Sequence, residues 1–322
     1  MARSSAATMR SVSSIALAVG LLAMVSFVLP RCASAVDIIV GPGGHFRKIQ
    51  PAINHAAPGT RIIIRPGVYH EKLEVNKRGI TFFGWTGRTV IVWGDSSNSA
   101  GGTDLSATVT VQRSAAGFVA EGITFKNNFG PNKSGADGQQ AVALFVLADA
   151  SFYNCTMDSF QDTLFAHAGR QYYKRCNITG TVDFAMGAGT AFFEDCILHA
   201  KKMRDTLYST YTAQQRNRKG EASGFVFLRG RLRCDRGVRA WLGRGWGKFA
   251  RTIFIRTWMN DCIQPDGWTT MPGINATTTT FFAEYQCMGP GANRRGRVWW
   301  SRVLTPREAA FFSTRRNVIG RG

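Results

Sequence analysis

The chain reads as an all-β solenoid, a right-handed parallel β-helix with short terminal helices, on three observations. First, Cys155, Cys176 and Cys196 recur at spacings of 21 and 20 residues. Each follows an aromatic residue by three positions (Phe152, Tyr173, Phe193) and precedes an aliphatic one by two (Met157, Ile178, Leu198). Self-similarity at a fixed period marks stacked supersecondary units. Second, other short segments rich in β-branched and aromatic residues punctuate the chain: Gly79–Phe83, Gly117–Val119, Gly122–Phe125, Gly224–Phe227 and Thr252–Ile255. Many short strands at a near-constant period favour a solenoid over a sandwich or propeller. Third, helical periodicity is confined to Ile49–Ala57 near the start and Thr305–Ser313 near the end, where it would cap the open ends of the coil stack.

Taken in order, residues 1–35 have the pattern of a secretory signal peptide. Arg3 and Arg10 precede the uncharged apolar run Ile15–Leu29, and Ala33-Ser34-Ala35 offers a small-x-small cleavage site. The run is short for a membrane span, which needs ~20 residues, and no later segment is apolar enough to cross a membrane. Residues 36–322 then form one large domain. Within the repeats, position zero and position plus two share one strand face, because side chains alternate. Each unit therefore offers a half-buried strand with an inward cysteine. The polar stretches 128–139 and 213–223 are expected to protrude as loops. Thr305-Pro306-Arg307-Glu308 has the form of a helix start with Pro at its first position.

Of the seven cysteines, Cys32 lies in the leader, which leaves six. An even number in a secreted chain permits disulfides; the regular spacing of three suits a buried stack equally well. The absence of CxxC and the scatter of five histidines argue against a metal site. The formal net charge is +20, of which the leader arginines carry three. A field of that size attracts polyanions. The secretory leader disfavours nucleic acid and points to an acidic polysaccharide outside the cell.

The repeat also carries chemistry. Asp162 follows Cys155 by seven residues, and Asp183 follows Cys176 by seven. Coils in register stack at the strand separation of ~4.8 Å, so the two carboxylates fall one coil apart on one face. Two acids that close do not ionise together easily: one is driven to hold its proton while the other stays ionised. That division supplies a proton donor and a nucleophile or base.

Five motifs run along the chain: Gly67-Val68-Tyr69-His70-Glu71, Gln140-Ala141-Val142-Ala143-Leu144, Gln161-Asp162-Thr163-Leu164, Asp183-Phe184-Ala185-Met186-Gly187 and Leu242-Gly243-Arg244-Gly245-Trp246. In order and interval they resemble the plant pectin methylesterases over nearly all of 36–322. The resemblance extends to Val40–Gly44, Ala283-Glu284-Tyr285 and Gly289–Ala292. It implies a right-handed parallel β-helix and hydrolysis of galacturonate methyl esters of pectin. It implies Asp183 as nucleophile, Asp162 as general acid/base, and Gln140 and Gln161 as amide donors to the oxyanion. Arg244 is then the cation that keeps Asp183 ionised and oriented, and Trp246, with Phe184, a cleft aromatic. On a strand, neighbours point oppositely, so a bend must bring both Gln161 and Asp162 to the cleft. Gly67, Tyr69 and Glu71 are read as structural.

The resemblance further implies no cofactor, methylated homogalacturonan as substrate, proteinaceous pectinesterase inhibitors as candidate partners, a monomer, and a cell-wall location. The domain starts close to the leader, as in the shorter family type without an inhibitor-like pro-region. Sequons stand at Asn132, Asn154, Asn177 and Asn275. Asn132 in its polar loop is the better candidate for glycosylation, whereas Asn154 and Asn177 lie in repeat strands where burial would block it.

Departures from the family pattern are Gly245 for proline, expected to loosen the loop holding Arg244 and Trp246; Ala185-Met186 for Ile-Phe; Phe145 and Phe165 for Arg and Tyr; and Met271 for tryptophan. They bear on rate and preference, and admit a pectin-binding protein of the same fold with little or no catalysis as the alternative. A polygalacturonase or pectate lyase is a further alternative, but a lyase needs a calcium-binding carboxylate cluster that 20 sparsely spaced acidic residues do not offer. Charge attraction makes a direct prediction. The initial rate of methanol release from partly de-esterified pectin should fall as ionic strength rises and the screening length contracts from ~30 Å to ~8 Å. A rate indifferent to salt would remove the polyanion reading.

Overall fold

The protein is described here as a computed structural model over residues 37–130, 138–203, 207–274 and 276–320. The expected leader, Cys32, the sequon asparagines Asn132 and Asn275 and most of the 128–139 loop lie outside the described residues. The described strands form three parallel sheets of eleven, eight and eight strands, with a small two-stranded sheet beside them. Successive strands pass from one sheet to the next and each pairs with its counterpart one coil later, the topology of a right-handed parallel β-helix. One coil illustrates the path: Ala150–Tyr153 in the eleven-stranded sheet, Thr156–Asp158 in the second sheet, Leu164–Ala166 in the third, and back to Arg170–Lys174.

The repeat seen in the sequence is a physical stack. Phe152 pairs with Tyr173 and Tyr173 with Phe193 in strand register. Their rings lie nearly parallel, with centroids 4.9 and 4.6 Å apart, and Phe227 and Phe254 extend the column at 4.3 and 4.7 Å. Aromatic contact of this kind adds ~0.5–1.5 kcal/mol per pair beyond area burial. The cysteines sit just outside the strands, at the bend between the first and second sheets. Cys155, Cys176 and Cys196 are buried free thiols, and each Sγ approaches a carbonyl of the preceding coil (Ala120, Phe152 and Tyr173) at 3.4–3.5 Å. A small apolar side chain with a weak S–H donor suits a corner where a carbonyl needs a partner. Both cysteine alternatives are therefore realised, because Cys234 and Cys262 form a disulfide while the repeat cysteines stay reduced.

The residue before each inward cysteine makes the bend. Asn154, Arg175 and Asp195, and at the equivalent place Arg229, Arg256 and Gln286, all have φ between 48° and 56°. A left-handed residue costs ~1–2 kcal/mol when it is not glycine. Backbone hydrogen bonds between successive bends hold them there, such as Asn154 N–H to Lys174 O and Arg175 N–H to Glu194 O, both 3.0 Å. This geometry corrects the reading of two sequons. With the cysteine turned inward its neighbours face out, so Asn177 is exposed and Asn154 half-buried.

The start of the stack is covered as expected. Helix Ile49–His55 inserts Ile49, Ala52 and Ile53 into the core, and the Glu71 carboxylate accepts from the Ile49 and Gln50 N–H groups at 2.7 and 3.1 Å. The late helix is found at Pro306–Phe312, with a capping box between Thr305 and Glu308. Its location differs from the end-cap expectation. Together with a second helix, Arg315–Ile319, it lies against the outer face of the eleven-stranded sheet, where Ala309 and Ile319 cover Tyr172, Phe192, Val226 and Ile253. That outer face is apolar and has to be taken out of water. The 213–223 loop also begins later than expected. Thr212–Gln214 is a strand, and Arg216 is buried, its guanidinium donating to the carbonyls of Glu221, Phe249 and Lys219. Phe193→Ala should cost about 3–5 kcal/mol, because the rings on either side cannot close the gap. Urea unfolding checks this as a lower midpoint at unchanged slope.

Candidate active site

Two turns of adjacent coils build the site. Asp162 N–H donates to Val182 O at 3.1 Å, and Ala141 N–H to Gln161 O at 3.1 Å. In a parallel ladder these bonds align Asp162 with Asp183, and Gln140 with Gln161 one coil earlier. Asp162 and Asp183 have φ of 62° and 53°. Aspartate tolerates this conformation better than most residues, and the resulting turn is the bend that carries Gln161 and Asp162 to the same opening. Both aspartates are almost wholly buried, at 0% and 1% exposure.

Their surroundings differ. Arg244 grips Asp183 with Nε at 2.9 and 3.1 Å from the two carboxylate oxygens and Nη2 at 2.6 Å from Oδ2. Neither oxygen of Asp162 has a hydrogen-bond partner among the described residues. Burial, and then the Asp183 charge, push Asp162 well above the ordinary carboxyl range, only partly opposed by Arg244. Burial raises Asp183 too, but the charge and hydrogen bonds of Arg244 pull against it. The pair is asymmetric: a protonated, unpartnered acid beside an arginine-held carboxylate.

Arg244 belongs to strand Gly243–Gly245, paired with Thr212–Gln214 on one side and Trp268–Thr269 on the other. The expected loop around it is therefore a strand, and the expected loosening by Gly245 has no loop to act on. A Cβ at Gly245 would meet Thr280 and Ala250 at 3.2 and 3.3 Å, so the space is already filled. From this strand Arg244 reaches across the intervening strand to Asp183, about two strand spacings or ~9.6 Å. Its ladder neighbour Ala213 is small enough to leave the path open.

Gln140 and Gln161 are half-buried, and neither side-chain amide is engaged by a described residue; Gln140 Oε1 is fully covered and unpartnered. Trp246 is half-buried against an apolar cluster that includes Phe145, Phe165 and Met186. Phe184 does not line the opening. It has no exposed surface and packs on Tyr211, centroids 5.2 Å apart, because the left-handed Asp183 rotates the following side chain into the core. On the outward side of the site's sheet stand Phe145 and Phe165, stacked at 4.6 Å and nearly covered. Both are departures from the family pattern. The usable signal was parity: Phe165 and Met186 each follow a site aspartate by three, on the outward alternation of their strands. His167, two residues beyond Phe165, is half-buried with its ring 4.9 Å from Phe165 and its Nδ1 unpartnered. Burial holds its pKa below the ordinary histidine value.

Comparison with known proteins bears on this geometry. A family model described as pectinesterase matches residues 37–321. Pectinesterase 1 of Citrus sinensis is 37% identical over 296 residues, covering 87% of this chain and 49% of that protein. The chain thus spans about half the length of that relative. Among solved structures, the pectin methylesterase from carrot superposes with a TM-score of 0.82 at 32% identity, covering 88% of this chain and 93% of the other. Pectin methylesterase PemA of Erwinia chrysanthemi gives 0.77 at 28% identity, covering 88% and 96%.

The buried acid predicts a stability effect with a definite sign. Asp162 holds its proton in the folded state to a pH well above its unfolded value near 4, so the native state binds the extra proton in that window. Stability is then lost at up to ~1.4 kcal/mol per pH unit as pH rises through it. Asp162→Asn carries no such penalty. It should unfold at higher denaturant than the parent at neutral pH and match it below pH ~3, as equilibrium unfolding across pH will read.

Proposed function

Because this chain belongs to the pectinesterase family, we propose that it is a secreted pectin methylesterase, hydrolysing galacturonate methyl esters of cell-wall pectin to pectate and methanol. The observation that carries the reading is the contrast between Asp183, held by Arg244 through three short contacts, and Asp162, buried one coil away with both oxygens unpartnered.

Asp183 is the nucleophile. One carboxylate oxygen attacks the ester carbonyl carbon, and the carbonyl electron pair moves onto oxygen. The amides of Gln140 and Gln161 donate to that oxyanion; being neutral, they leave both carboxylates free to act. As the tetrahedral intermediate collapses, the bond to the methoxy oxygen breaks and Asp162 delivers its proton there, releasing methanol and leaving an acyl anhydride on Asp183. Asp162, now ionised, takes a proton from water. The hydroxide attacks the galacturonoyl carbon, and collapse frees Asp183 and the galacturonic acid, with Asp162 again protonated. Arg244 holds the nucleophile ionised and aimed throughout.

The signal-like segment 1–35 supports secretion, and the net charge of +20 suits a wall rich in anionic polymer. Proteinaceous pectinesterase inhibitors are the corresponding class of protein partner.

Asp183→Asn should reduce methanol release from methylated pectin by about a thousandfold or more while the protein stays folded. Arg244→Lys keeps a charge but loses the planar two-nitrogen grip. Asp183 then titrates higher, so the acid limb of the pH–rate profile should move to higher pH, with kcat falling more than KM rises. An unshifted acid limb would remove Arg244 from control of the nucleophile.

A further inference from the structure

Two arginines, Arg216 and Arg251, follow strands Thr212–Gln214 and Gly243–Gly245 and have no ion-pair partner among the described residues. Gln214 is fully buried, and its side-chain Oε1 accepts from the backbone N–H of Arg216 at 3.0 Å and of Arg251 at 2.8 Å. One amide therefore ties the roots of both residues together. Arg216 is buried, and its guanidinium donates to Glu221 O at 2.9 Å, Phe249 O at 3.3 Å and Lys219 O. Those are neutral acceptors, and they leave two of its five N–H groups unused. The carboxylate whose charge reaches it, Glu221, is itself bound by Arg218 Nε at 2.8 Å and Asn217 N–H at 3.2 Å. Glu221 is the only acid in 215–223, against Arg216, Arg218 and Lys219.

Arg251 is half-buried at the first position of strand Arg251–Ile255. Its stem lies across Gly224, where a Cβ would meet Arg251 Cδ at 2.8 Å. Its guanidinium carbon stands 5.7 Å from the centroid of the Phe281 ring. Among the described residues its side chain makes no hydrogen bond, and its Nε is wholly covered. Burial, and then the like charge of Arg216, hold its pKa down to about 10. Two cations drawn out of water side by side are unfavourable unless an anion shares the space. An unpartnered buried donor in that setting points to an ion. A guanidinium fork matches the paired oxygens of an oxyanion, and Arg251 has its side-chain donors uncommitted.

We propose that Arg216 and Arg251 form a binding site for a small oxyanion, which bridges the 216–223 loop to the strand that begins at Arg251. The site is separate from the Asp162–Asp183 pair, and the inference does not depend on the methylesterase reading. The anion supplies the negative charge that no described side chain brings to Arg251. It also crosslinks two segments otherwise joined through the Gln214 amide and the contacts between Arg216 and Phe249.

The test uses the purified chain in Tris chloride, with sodium phosphate added at constant ionic strength so that screening is unchanged. Calorimetric titration should show phosphate bound at a single site, and Tm should rise by about 2–4 °C at roughly ten times Kd. Arg251→Met keeps an apolar stem and removes the fork, so its rise in the same phosphate should be under about 1 °C. Without phosphate Arg251→Met should melt no lower than the parent, because an unpaired buried charge has been taken away; with phosphate the order should reverse. Arg307→Gln, at an exposed position of the late helix, should retain the full shift. Acetate in place of phosphate separates a carboxylate ligand from a tetrahedral oxyanion, and loss of either shift in Arg251→Met supports the site. If Arg251→Met does not fold, Arg251→Gln reads the same comparison. A parent that binds neither anion overturns the proposal, as does a shift of equal size in the parent and the Arg251 variant.

Discussion

The register between stacked coils is the constraint on which the rest of this molecule depends. Each strand has its hydrogen-bonding partner in the next coil at a fixed separation of ~4.8 Å, and a slip of one residue would turn every side chain to the other face. The aromatic column, the thiol column and the left-handed bends all hold the same register from inside the coil. Its consequence at the surface is that two aspartates at the same offset must stand one above the other. The site is then a by-product of the core: carboxylates are brought together because Phe152, Tyr173 and Phe193 stack.

What makes that juxtaposition useful is the third element, Arg244, which arrives from a strand two further along the sheet. Without it, two buried acids would share a proton and be interchangeable. With it, the charge sits beside one of them. The arrangement needs a long, planar cation and a small residue beneath it, and Ala213 meets the second need. Burial strengthens the asymmetry, since the low local dielectric magnifies both the penalty on unpartnered Asp162 and the attraction holding Asp183.

Much of this was legible in the sequence because it is periodic. The cysteine and aromatic offsets exposed the coil length, and equal Cys-to-Asp spacings exposed the stacked carboxylates. What stayed hidden is local geometry that no periodicity reports. Arginine and glutamine are poor markers of a left-handed bend, yet Arg175, Arg256 and Gln286 adopt one because the backbone ladder on either side holds them. The resemblance puts Phe184 in the cleft beside Trp246, but the conformation of Asp183 turns it inward. The late helix is legible from its period and from Pro306 at its first position, whereas its docking on a sheet face follows from outward apolar residues scattered over several coils, Tyr172 to Ile253, which share a face only once the coils are stacked.

The electrostatics act on two length scales, and the structure separates them. At a screening length of ~8 Å under physiological salt, the excess of arginine and lysine gives the chain a positive field of the kind that favours polyanions. At contact distance the field is local. At the cleft Arg244 is paired to Asp183 and Lys72 to Asp95, and the residues between them, Phe145, Phe165, Met186 and Ala213, form a buried apolar cluster.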